Sequence, residues 1–246
     1  MSNPRIRWAV AGVVLLALLA AASGLWAQDT LSAKLDQSGM ITLSRGNVEL
    51  GMIELNAHGP EWKHAPQATA TAAVSDLPDG GGKRFVGTLP VPNTEGGAIT
   101  FTQSVTTLAQ GLRLEYDLAV TKTMKLNGLQ FSLLLPVAVY AGKDMVISRL
   151  EGEPVTVGFP LELPFNGWGG EAARIEVAKG ASEAIAIELR AAADAMIQDL
   201  RKWEHPVYEV RFPAISDDQG REVTTDDRFH LDLTVTLAGP VTLVGP

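Results

Sequence analysis

Between residues 99 and 135 apolar and polar positions alternate with a period of two. In 111–120, Leu112, Leu114, Tyr116, Leu118 and Val120 fall on one side, and Arg113, Glu115 and Asp117 on the other. That period belongs to a strand, and a single polar side belongs to an antiparallel sheet with one face in water. Ahead of it, Gly111 closes a short turn at a position that needs positive φ. Residues 129–135 are nearly all apolar and stop at Pro136, which predicts a strand buried on both faces.

The same phrasing recurs along the chain. Strands are predicted at 40–43, 48–55, 68–74, 84–89, 137–140, 145–150, 155–159, 174–177, 184–189, 207–212 and 229–237. Residues 30–39 read as a polar lead-in, 56–67 as a loop and 216–227 as a long acidic loop. One segment is ambiguous. Ala192, Met196, Leu200 and Trp203 have helical spacing, so a short helix around 191–203 competes with another strand. Turn signals every 8–12 residues or so predict an all-β fold, an antiparallel β-sandwich or jelly roll of about 12–14 strands. No internal repeat or domain boundary interrupts it, so 28–246 reads as one domain.

Residues 1–27 differ in kind. Arg5 and Arg7 precede an uncharged run from Trp8 to Ala27 that ends in small residues, the plan of a secretory signal peptide cleaved after Ala27. An uncleaved anchor is the rival, since twenty uncharged residues just span a bilayer. Either way the domain is expected outside the cytoplasm, periplasmic or secreted, and membrane-anchored if the leader stays. The absence of cysteine excludes disulfides, thiolate metal sites and cysteine nucleophiles. The 20 basic residues fall to 18 without Arg5 and Arg7, against 28 acidic ones. An acidic chain with no basic run argues against nucleic acid and anionic lipid, and favours a neutral over an acidic polysaccharide.

Three loops carry tryptophan beside polar groups: His58, Glu61, Trp62 and His64; Asn166, Trp168 and Glu171; Arg201, Trp203, Glu204 and His205. An indole suits the C–H face of a sugar ring, and the neighbouring side chains suit its hydroxyls. The ligand-binding candidates are therefore Trp62, Trp168, Trp203, His58, His64, Asn166, Glu171, Arg201 and His205. A single tryptophan more often plugs the end of a sandwich, and the case for a site rests on three that must converge in space. For cleavage, Glu61, Glu171 and Glu204 are the candidate carboxylates. For a lyase, His64, His205, Tyr208 and Arg174 offer a base and a cation. No metal motif organises the histidines. Asp217, Asp218, Glu222 and Asp226 form a weak calcium candidate without the ligand order of an EF-hand, and no other cofactor is expected.

The phrases at 197–204, 208–212 and 220–223, with that at 126–136, resemble the accessory β-sandwich domains of some bacterial glycoside hydrolases. The resemblance covers about 100 residues of strand phrasing. It implies a carbohydrate context and transfers no catalytic residue. The leading expectation is an exported glycan-binding or accessory module. A small polysaccharide-cleaving glycosidase or lyase, and a non-catalytic envelope or protein-interaction domain, are the alternatives.

Overall fold

A computed structural model describes residues 30–165 and 167–246. The expected leader lies outside the described residues, as does Asn166. The all-β expectation is met: sixteen strands form one curled, mixed sheet that folds back on itself into two packed layers.

One layer is built around β3 (Val48–Gly59), β9 (Met124–Pro136) and β14 (Val207–Val223). β3 and β14 flank β9, both antiparallel to it. On the outer side of β3 run β2 (Ile41–Arg45) and β1 (Leu31–Leu35), then β16 (Val241–Val244), which joins β1 in parallel. The other layer is a meander of β5 (Thr71–Asp76), β6 (Gly82–Pro90), β7 (Ala98–Leu108) and β8 (Gly111–Val120), completed by β15 (Arg228–Leu237). β13 (Ile185–Asp199) links the layers, pairing first with β15 through Ile185–Leu189 and then with β14 through Met196–Asp199. β10 (Asp144–Ser148), β11 (Val155–Gly158) and β12 (Trp168–Val177) form a flap on β13, and β4 (Lys63–Pro66) folds back onto β3.

The core lies between the layers. Leu112, Leu114, Tyr116, Leu118 and Val120 of β8 are buried as the alternation predicts, and they face the layer that carries Leu55, Leu129, Phe131 and Phe212. Tyr116 meets Phe131 edge-on at 5.8 Å. Full burial contributes about 1.5–3 kcal/mol per Leu or Phe side chain. Where the layers meet beside β3, Gln67 stitches them. Its Oε1 accepts from the Leu55 amide at 2.7 Å, and its Nε2 donates to Gln103 Oε1 at 2.7 Å and to the Ser38 carbonyl at 2.9 Å.

Several boundaries differ from the sequence expectations. The helix considered at 191–203 does not form: β13 continues through Asp199, and only Leu200–Trp203 makes a single 3₁₀ turn. Pairing on both edges of β13 outweighs a helical spacing that rests on four residues. Residues 137–140, expected as a strand, make one helical turn after Pro136. The lead-in contains β1, the loop at 56–67 contains the end of β3 and all of β4, and the acidic loop is largely the bulged continuation of β14. Pro213, with no amide proton to give the ladder, lies at the first of these bulges.

Candidate functional site

β3, β9 and β14 turn their apolar positions to the core, and register fixes what the other face carries. Glu54 lies opposite Ser132, and Asn56 opposite Gln130, across β3–β9. Ser132 in turn lies opposite Arg211 across β9–β14. Glu209, two residues before Arg211, shares its face because strand side chains repeat with a period of two. This face, called the trough below, has a polar floor almost closed to water: Glu54, Asn56, Gln130, Ser132, Glu209 and Arg211 are all buried.

The floor is a connected network. Asn56 Nδ2 donates to Glu54 Oε1 at 3.1 Å and to Ser132 Oγ at 3.3 Å. Ser132 Oγ donates to Glu209 Oε1 at 2.7 Å, and Gln130 Nε2 donates to the same oxygen at 3.0 Å. Asn56 Oδ1 is thereby turned to His64, whose Nε2 is 2.7 Å away. An amide oxygen only accepts, so this nitrogen carries the proton and His64 Nδ1 keeps its lone pair. His58 Nδ1 faces the Trp62 carbonyl at 3.5 Å, which leaves His58 Nε2 as an acceptor. The two imidazoles stack at 5.0 Å, and Trp62 meets His58 edge-on at 5.3 Å.

Electrostatics follow from burial. Burial pushes the His58 pKa down to about 4, with His64 and Arg211 adding to the effect, and lowers that of His64, with His205 adding. Both rings are neutral at pH 7. Glu54 is raised above the ordinary carboxylate range, chiefly by burial and further by Glu209, although its bond from Asn56 pulls the other way. Arg211 is lowered by burial, with Glu209 partly offsetting this. No carboxylate forms an ion pair with Arg211 among the described residues: its Nη2 contacts Met196 Sδ at 3.4 Å, and its Nε has no partner. Gln130 Oε1 is likewise buried without a partner. Unmet donors and acceptors on one polar face are the complement of a hydroxyl, which gives one bond and accepts others.

Of the sequence candidates, the structure brings His58, Trp62 and His64 together here, and His205 is close enough to act electrostatically on His64. Glu171 is exposed on β12 opposite Asp194, at the rim of the same face. Trp168 packs against the core, so the three tryptophans do not line one groove. Arg201 is occupied by Asp199 and by the carbonyls of Pro160 and Leu161. Tyr208 is buried and donates to the Pro160 carbonyl, while Arg174 pairs with Glu176 and Glu188 on the flap. Glu61 and Glu204 are exposed, each at positive φ in a turn. The calcium candidates do not converge: among the described residues no three of His, Asp and Glu cluster in a way that could hold a metal ion. Glu54, Asn56, Gln130, Ser132, Glu209 and Arg211 were not singled out from sequence. The available signal was polar residues at alternate positions in three apolar strands.

No family model and no curated protein matches the chain. Solved structures share its fold. A galactose mutarotase-like protein from Lactobacillus casei ATCC 334 is similar over 85% of this chain and 97% of its own, at 13% identity and a TM-score of 0.55. A 4-alpha-glucanotransferase from Thermococcus litoralis matches over 85% of this chain at 10% identity and a TM-score of 0.51. An alpha-mannosidase from Enterococcus faecalis V583 matches over 86% at 11% identity and a TM-score of 0.51. The chain spans 36% and 28% of the length of these last two. At such identities the likeness is one of fold: a curled β-sandwich that occurs both as a whole chain and as part of larger enzymes.

Proposed function

We propose that the chain is an exported saccharide-binding β-sandwich whose binding face is the trough of β3, β9 and β14. The observation that carries this reading is Arg211, a buried guanidinium that has, among the described residues, an unpartnered Nε and no carboxylate in ion-pair reach, although Glu54 and Glu209 share its face. Burying a charge without a partner costs several kcal/mol, a cost that a bound ligand group can offset. Sugar hydroxyls fit the rest: they accept from Arg211 and donate to Glu209 and to the free nitrogens of His58 and His64. The carbohydrate names of the fold neighbours point the same way. Export is supported by the leader plan of residues 1–27.

A second reading is favoured by one further feature. Glu54, held towards its protonated form, lies on the same face as two neutral imidazoles. Opening a hemiacetal ring calls for a base that takes the proton of the anomeric hydroxyl and an acid that protonates the ring oxygen as its bond to the anomeric carbon breaks, and a galactose mutarotase-like protein is among the fold neighbours. Calorimetric titration with neutral hexoses and their oligomers tests the first reading. Saturable binding lost in Arg211→Gln supports it, and binding untouched by that change overturns the site. Faster equilibration of hexose anomers, followed by NMR, would add the second reading.

A further inference from the structure

We propose, resting on the saccharide reading, that the ligand is an oligosaccharide rather than a single sugar, and that the exposed indole of Trp203 carries a unit beyond the trough floor. Trp203 is 54% exposed, yet it sits on a tightly held turn. The Asp199 carboxylate, almost fully buried, accepts from the Arg201 amide at 3.0 Å and from its guanidinium at 2.6 Å. The same guanidinium donates to the Leu161 carbonyl at 2.7 Å and to the Pro160 carbonyl at 3.0 Å, locking the turn to the loop at 160–164. The Lys202 ammonium covers one face of the indole at 3.8 Å. An indole left in water forgoes burial worth about 1.5–3 kcal/mol or more, judged from large apolar side chains. A ring held rigid in that position is pre-organised to stack on a ligand.

β14 begins at Val207, four residues after Trp203, and Val207 shares the face of Glu209 and Arg211, so the turn stands at the end of the trough where Val207 lies opposite Pro136. The trough is also long. From Pro136, opposite Val207, to Gly128, opposite His58, it follows eight steps of β9, about 26 Å at strand rise. A strand face of that length exceeds a single sugar ring. Leu161 and Leu163 are also exposed on the adjoining loop, giving the rim an apolar character that suits ring faces better than hydroxyls.

The test is calorimetric titration of the full chain with glucose, galactose and mannose, each beside its di- and trisaccharide. The expected result is an affinity gain of about tenfold from monosaccharide to trisaccharide in at least one series. Trp203→Ala should abolish the gain and leave monosaccharide affinity unchanged, and Trp203→Phe should restore part of it. Circular dichroism of both variants checks that they fold. A gain that survives Trp203→Ala, or equal affinity for all lengths, overturns the proposal while leaving the trough intact as a monosaccharide site. Absence of binding by every sugar overturns the saccharide reading along with it.

Discussion

Glu209 and Arg211 stand two residues apart on one face of β14, both buried, and their charges do not pair. The carboxylate takes its hydrogen bonds from Ser132 and Gln130, while the guanidinium rests on Met196 sulfur with its Nε unpartnered. A stabilising role would have closed that pair.

Arg211→Leu should therefore cost little stability, within about 1 kcal/mol of wild type or in the stabilising direction, because it removes a buried charge with no ion-pair partner among the described residues. Saccharide binding should be lost. Urea unfolding beside a binding titration checks both. A loss of about 3–5 kcal/mol would mean that the guanidinium belongs to a structural ion pair.

His58 should remain neutral well below the range of an ordinary histidine. Its folded pKa of about 4 lies under the reference value of 6.5, so the unfolded chain binds the extra proton between these limits. Stability contributed by His58 is present above pH 6.5 and is lost as pH falls towards 4. NMR titration of its ring should show a midpoint near 4, and His58→Asn should flatten the acid limb of the stability profile. A midpoint near 6.5 would contradict the burial of the ring.

Glu54 should work in the opposite sense. Its folded pKa is raised above 4.5, so the folded chain holds the extra proton. The associated stability is full below pH 4.5 and is lost as pH rises through the raised value. Glu54→Gln should remove this decline. Stability profiles of the two proteins between pH 4 and 8 provide the check, and coincident slopes would refute the assignment.

Gln67→Leu should destabilise the fold by about 2–3 kcal/mol, since it strands the Leu55 amide and part of Gln103 inside the core. The stitch holds Leu55 between Glu54 and Asn56 of the site, so saccharide affinity of the folded fraction should fall as well. Denaturation midpoints and a titration separate the two effects.

Much of the fold was legible. The inward set of β8 and the buried run of β9 follow directly from their apolar pattern, because period two leaves no other face for those side chains. The ends of elements were less so. β1, β4 and β16 are short and polar in places, and pairing with neighbours distant in sequence makes them strands. The site was legible only in part. His58, Trp62 and His64 announced themselves as a dense loop motif, and the structure keeps them together. Glu54 and Arg211 sit at strand positions that read as ordinary polar residues, and Ser132 lies in a run read as buried on both faces. Their convergence depends on the order β3–β9–β14, which joins segments about 80 residues apart, and no local pattern encodes that order. Trp168 misled for the converse reason: its glycine-rich surroundings suggest a loop, while register places it on β12 against the core.

The central claim is where a saccharide binds, and the histidines report on it directly. His58 and His64 belong to the trough, whereas His230 pairs with Asp117 at 2.8 Å on the exposed outer face of β8 and β15. Histidine ring resonances should be followed by NMR while a binding sugar is added. Saturable shifts of His58 and His64 are expected, with His230 unmoved. Shifts confined to His230, or binding by calorimetry that moves neither His58 nor His64, would place the ligand elsewhere and contradict it.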